Sequence, residues 1–159
     1  MLGLPETFDP YQCTVSTRHG SSDLQASKFG FGLKGADMTE AERRTVAIVD
    51  DDPDVLDSFR FLLEVIGYTV ETFASAAEFL LANVHRFVCM ILDHHMPHMT
   101  GLELVERLRA DGSGIPIMLI TGSLSPSIVA RAAELGIERV LEKPPGEEDL
   151  IDFIDANRS

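Results

Sequence analysis

Several carboxylates, one hydroxyl and one ammonium share a sequence position in this 159-residue chain, each at or near the end of a short apolar run. Asp50-Asp51-Asp52 follows the run 46–49, and Asp93 follows 88–92. Thr121-Gly122 follows 115–120, and Lys143-Pro144 stands just past 137–141. Carboxylates held about 4 Å apart repel by roughly 4 kcal/mol per pair at an effective dielectric near 20, so a positive charge must offset them. A hard divalent cation would do so, and Mg²⁺ takes only one or two carboxylates together with waters and a phosphate oxygen. A metal-bearing carboxylate site flanked by Thr and Lys suits a phosphoryl group. The metal and Lys143 would neutralise its charge, the Thr121 hydroxyl would donate to an oxygen, and one carboxylate could be the nucleophile.

Such residues converge only if the runs are parallel strands of one sheet, whose carboxyl ends form the usual ligand edge of open α/β folds. The runs 46–49, 88–92, 115–120 and 137–141 are apolar almost throughout, as expected of strands covered on both faces. The stretch 68–73 interleaves Thr69, Glu71 and Thr72 with Tyr68, Val70 and Phe73, which suits a half-exposed edge strand. Between the runs lie helix signals. Asp52-Pro53 precedes an apolar face of Val55, Phe59, Leu62, Leu63 and Ile66 that ends at Gly67. Ser75 with Glu78 and Thr100 with Glu103 have capping-box spacing. Ser125-Pro126 opens a helix ending before Gly136, and 147–157 turns Leu150, Ile151 and Ile154 inward. Five βα units of this kind predict an α/β fold, a doubly wound five-stranded parallel sheet with five helices.

Residues 1–44 differ. Glycines and prolines break every period there, so a mostly disordered tail is expected, followed by one domain over 45–157. Acidic residues number 26 against 13 Lys and Arg, a formal charge of −13, and −12 of it falls on 45–159. That sign argues against a nucleic-acid surface. No apolar run approaches the roughly 18 residues of a membrane helix, and the start resembles no secretory signal. Cys13 and Cys89 make no disulfide framework, so a reducing, cytoplasmic setting is the expectation.

The stretches Val46-Ala-Ile-Val-Asp-Asp-Asp-Pro53, Ile91-Leu-Asp-His-His-Met-Pro97, Leu119-Ile-Thr-Gly122 and Leu141-Glu-Lys-Pro144 together resemble the receiver domain of two-component response regulators. The resemblance covers 45–157 and implies the flavodoxin-like strand order 2-1-3-4-5. It implies that Asp93 accepts a phosphoryl group from a histidine kinase or histidine phosphotransfer protein. It further implies that Asp50, Asp51, Asp93 and the backbone carbonyl of His95 hold Mg²⁺. Thr121 would bond a phosphoryl oxygen, Lys143 would pair with the phosphoryl charge, and Lys143-Pro144 would be a cis peptide. The implied protein is a switch in a phosphorelay that passes its state to a downstream protein target. It is no enzyme beyond self-catalysed phosphoryl transfer and slow autodephosphorylation. With two residues after Asn157, a stand-alone receiver is the expectation.

Some positions depart from the family pattern: Val140 stands where an aromatic is common, Pro145 where Phe is common, and Thr100 where Asp is common. Asp52 is assigned to the helix cap rather than to the metal. His94, His95 and His98 could suggest a transition metal, but Pro97 interrupts a helical spacing, and exposed loop histidines are the favoured reading. Cys89 reads as a small core residue, Gly122 as a turn glycine or as room beside Thr121, and Ser123 and Ser125 as loop and cap. Two rival functions remain open. An aspartate-nucleophile phosphohydrolase would use Asp50 and Asp52 with Thr121 and Lys143, but Asp54 stands where its motif wants Thr or Val, and Asp93 would have no role. A pseudo-receiver that only docks partners would not need the intact acidic, Thr and Lys set.

Overall fold

The computed structural model describes residues 45–158; the tail expected over 1–44 lies outside the described residues. The strands are β1 (Thr45–Val49), β2 (Thr69–Phe73), β3 (Phe87–Asp93), β4 (Ile117–Thr121) and β5 (Arg139–Glu142). The helices are α1 (Pro53–Ile66), α2 (Ala76–Leu80), α3 (Gly101–Ala110), α4 (Pro126–Glu134) and α5 (Glu147–Ala156). All four strand pairings are parallel, in the order β2-β1-β3-β4-β5. This is the doubly wound five-stranded sheet expected, in the order that the resemblance implied.

Strand alternation divides the core into two layers. Ala47, Val49, Met90, Leu92, Ile117 and Leu119 pack with α2, α3 and α4 on one face. Val46, Ile48, Cys89, Ile91, Met118 and Ile120 pack with α1 and α5 on the other. With both faces covered, the central strands have no polar side to show, hence their continuous apolar runs. β2 pairs with β1 alone, and its side chains are mostly half-exposed, as expected of an edge strand.

Helix starts follow their caps. The Asp52 carboxylate accepts from Asp54 N at 2.9 Å with Pro53 in the first turn, and Gly67 ends α1 at φ 105°. Thr100 and Glu103 form a complete reciprocal capping box on α3. The box expected at Ser75 is incomplete. Ser75 Oγ accepts from Glu78 N at 3.1 Å, but the Glu78 carboxylate passes the cap and accepts from Ala74 N at 2.7 Å.

Two strands begin two residues later than the apolar runs. Gly136 at φ 66° and Ile137 finish α4, with Ile137 N donating to Ala132 O at 2.9 Å, so β5 starts at Arg139. Ile115 precedes Pro116, which has no N–H for the ladder, and β4 starts at Ile117. A short 3₁₀ turn, Val84–Arg86, leads into β3 and had no sequence signal.

Candidate functional site

The carboxyl ends of β1, β3, β4 and β5 bring Asp50, Asp93, Thr121 and Lys143 to one edge of the sheet, as the sequence predicts. Lys143 Nζ lies 3.0 Å from Asp50 Oδ2 and 3.0 Å from Asp93 Oδ1, bridging the two carboxylates. Asp50 and Asp93 are only 3 % and 4 % exposed, whereas Asp51 faces solvent. One carboxylate oxygen from each of Asp50, Asp51 and Asp93 lies within 4.8 Å of the others, and among the described residues no other His, Cys, Asp or Glu group has metal-ligand spacing.

Backbone contacts hold each side chain in place. Asp50 N donates to Phe73 O across the sheet, and Asp50 Oδ1 accepts from Asp52 N at 2.9 Å. Asp52 is thus spent on the helix start, as assigned. Lys143 N donates to Thr121 O at 2.8 Å, and the Lys143–Pro144 peptide is cis as the resemblance implied. Gly101 lets α3 approach the end of β3: a Cβ there would lie 2.6 Å from Asp93 O and 3.0 Å from His94 Cα. Gly101 N donates to His94 O at 2.9 Å, closing the loop behind Asp93. That requirement for glycine went unread in the sequence.

Thr121 is fully buried. Its hydroxyl donates to Ser123 O at 3.1 Å, accepts from Ser123 N at 3.3 Å, and lies 3.4 Å from His95 Nδ1. Ser123 and Ser125 do what was expected, shaping the loop and capping α4. Gly122 is not crowded, because a Cβ there would meet nothing within 4 Å.

The histidines require a correction. His95 and His98 are exposed, His98 at φ 67°, but His94 is half-buried with Nδ1 enclosed and unpartnered. The His95 ring stands edge-on to it, with centroids 4.7 Å apart. Burial and the neighbouring His95 hold the His94 imidazole below its ordinary pKa. The three histidines do not converge on a metal site.

The electrostatics follow from this packing. Burial pushes the Asp50 carboxyl above its ordinary pKa; Asp52 N and Lys143 pull it part of the way back, and the charge on Asp93 adds to the rise. Burial alone would lower the Lys143 ammonium, yet Asp93 and Asp50 outweigh it and hold the lysine above its ordinary value. Asp93 Oδ1 is buried and, although near Nζ, makes no aligned hydrogen bond. Hard oxygen donors, one of them enclosed and met only by its ion pair with Lys143, fit a small divalent cation such as Mg²⁺. Beside the edge, Asp54, Val55, Ser58, Phe59, Lys143, Pro144 and Pro145 line a mostly apolar groove of about 330 Å³.

Fold and site together define a doubly wound α/β domain with a lysine-bridged acidic edge. Residues 46–155 match the response regulator receiver domain family, and the chain belongs to it. It is 35 % identical over 113 residues to the transcriptional regulatory protein TdiR of Thauera aromatica, covering 70 % of this chain and 50 % of that one. It is 38 % identical over 113 residues to the response regulator protein TodT of Pseudomonas putida, covering 70 % and 49 %. The chain therefore spans about half the length of these curated relatives. The chemotaxis protein CheY4 of Vibrio cholerae superposes with a TM-score of 0.65 at 31 % identity, over 71 % of this chain and 97 % of that one. As a response regulator receiver, the chain is a component of a two-component system. Among the described residues, no helix is long and apolar enough to cross a membrane.

Proposed function

We propose that Asp93 accepts a phosphoryl group from a phosphohistidine of a histidine kinase or histidine phosphotransfer protein, and that this switches the domain's conformation for a downstream protein target. The observation that carries the reading is the lysine bridge: a buried carboxylate at the end of the central strand, held by Lys143 and facing two further carboxylates. An Asp93 oxygen attacks phosphorus, a P–O bond forms, the P–N bond breaks, and the imidazole nitrogen leaves with that electron pair. The Lys143 ammonium pairs with the phosphoryl oxygens as they enter. The Thr121 hydroxyl exchanges Ser123 O for a phosphoryl oxygen, a charge-assisted bond available only in the phosphorylated state.

Asp50, Asp51, Asp93 and the His95 carbonyl would hold Mg²⁺, which when bound neutralises charge on the transferring group. The protein is then no turnover enzyme beyond transfer to itself and slow loss of the phosphate. On this reading it works in the cytoplasm, where ATP-charged histidine donors form. The phosphohydrolase alternative is not favoured, because the Asp52 carboxylate is engaged in capping α1 and that reading gives the buried, lysine-paired Asp93 no role. A docking-only module is not favoured either, because it needs none of the retained charge set.

Intact-mass measurement after acetyl phosphate treatment, with Mg²⁺ or EDTA, tests the reading. One phosphoryl adduct that EDTA abolishes is expected. No adduct, or one indifferent to EDTA, would overturn it.

A further inference from the structure

The Thr121 hydroxyl has three hydrogen-bonding places, one for its proton and two on its lone pairs. The proton goes to Ser123 O at 3.1 Å, and one lone pair accepts from Ser123 N at 3.3 Å. The third place faces His95 Nδ1 at 3.4 Å. With the hydroxyl's own proton committed to Ser123 O, only an imidazole that carries hydrogen on Nδ1 completes the set. The ring that makes this contact is oriented in turn by His94, which is half-buried and stands edge-on to it at 76°. That arrangement is one the ring quadrupoles favour. A solvent-exposed side chain is thus aimed at a fully buried hydroxyl.

On the phosphoryl-switch reading this hydroxyl leaves Ser123 O for a phosphoryl oxygen. The bond from His95 Nδ1 belongs to the resting orientation and is lost on that departure. A contact made in only one of two states shifts the balance between them by its full strength.

We propose that His95 is a positioning residue that acts as a brake: its imidazole, through Nδ1–H, holds the Thr121 hydroxyl toward Ser123 and so opposes phosphoryl uptake at Asp93. The inference rests on the phosphoryl-switch reading for its consequence, while the imidazole–hydroxyl bond is observable with no phosphodonor present. The carbonyl of His95 assigned to Mg²⁺ is backbone and survives replacement of the ring.

Two measurements on the full chain test it. The first uses no ligand: long-range ¹H–¹⁵N correlation spectra at about pH 8.5, where an ordinary imidazole is neutral. His95 should be the Nδ1–H tautomer in wild type and lose that preference in Thr121→Val, which keeps the shape of threonine without its hydroxyl. A wild-type Nδ1 without hydrogen, or a tautomer unchanged in Thr121→Val, would overturn the brake alone. The second is calorimetric binding of beryllofluoride in saturating Mg²⁺. His95→Leu should bind it about 2- to 10-fold more tightly than wild type, the contribution of one hydrogen bond between neutral groups. His95→Asn, whose amide nitrogen can stand in for Nδ1, should bind it as wild type does. In a Thr121→Val background the His95→Leu change should have no effect, because its partner is gone. Equal affinities in wild type and His95→Leu would overturn the brake, as would failure of asparagine to restore the wild-type value or a full His95→Leu effect in Thr121→Val. No binding by wild type would overturn the phosphoryl switch and the brake with it, even with the Nδ1–H tautomer in place.

Discussion

Replacing Lys143 by methionine removes the cation that bridges Asp50 and Asp93 while keeping a stem of similar length. Breaking a fully buried ion pair costs about 3–5 kcal/mol. The lysine side chain is 33 % exposed, so solvent screens part of this, and a loss of about 2–3 kcal/mol is expected at pH 7 in EDTA. For a domain of this size that is a fall in Tm of roughly 10 °C. The dependence on pH fixes the cause. Asp50 has a raised pKa in the fold, so its ionisation works against stability as pH rises through that value. Deleting Lys143 removes one of the influences that lower it, so the variant suffers most at neutral pH. At about pH 4 the deficit should be smaller, because acidification moves toward the raised Asp50 pKa and favours the uncharged carboxyl. Wild type should keep the lysine's contribution at pH 7 and lose it only as pH rises through its raised pKa. Mg²⁺ should recover part of the variant's deficit. Circular-dichroism melts at both pH values measure this. A loss under about 1 kcal/mol at pH 7, or one equally large at pH 4, would refute the bridging role.

Saturating wild type with Mg²⁺ at 100 times its Kd should add about 2.7 kcal/mol, and Asp51→Asn should remove most of that thermal shift. Gly101→Ala places a methyl 2.6 Å from the Asp93 carbonyl oxygen, against backbone that cannot yield cheaply. A loss of about 2–3 kcal/mol in urea titration is expected, along with slower phosphoryl uptake from acetyl phosphate. Burial pushes the Cys89 thiol up to about 12. In a Cys13→Ser variant, native protein should therefore resist a thiol-disulfide reagent at about pH 8 and react only at the rate of unfolding.

The central strands and the residues at their ends were legible because burial on both faces leaves an uninterrupted apolar run, and a polar residue closing it stands out. Asp50, Asp93, Thr121 and Lys143 emerged that way. What escaped depends on side chains meeting distant backbone. Arg109 finds Leu135 O at a separation of 26 residues, and carbonyl acceptors leave no sequence mark. Gly101 resembled any glycine near a helix start until the Asp93 carbonyl proved to lie against it. His94 looked like a loop histidine beside His95, but the fold of that loop encloses its Nδ1 and places His95 Nδ1 beside the Thr121 hydroxyl. Ile137 read as strand because an apolar residue closing a helix cap looks the same as one opening a strand.

The most direct test is to locate the phosphoryl group itself. Borohydride reduces an aspartyl phosphate to homoserine, so protein treated with acetyl phosphate and Mg²⁺, reduced and sequenced by tandem mass spectrometry, carries the site as a permanent mark. Homoserine at position 93 alone is the predicted result. Homoserine at position 50, as an aspartate-nucleophile phosphohydrolase would give, or none anywhere, would contradict it.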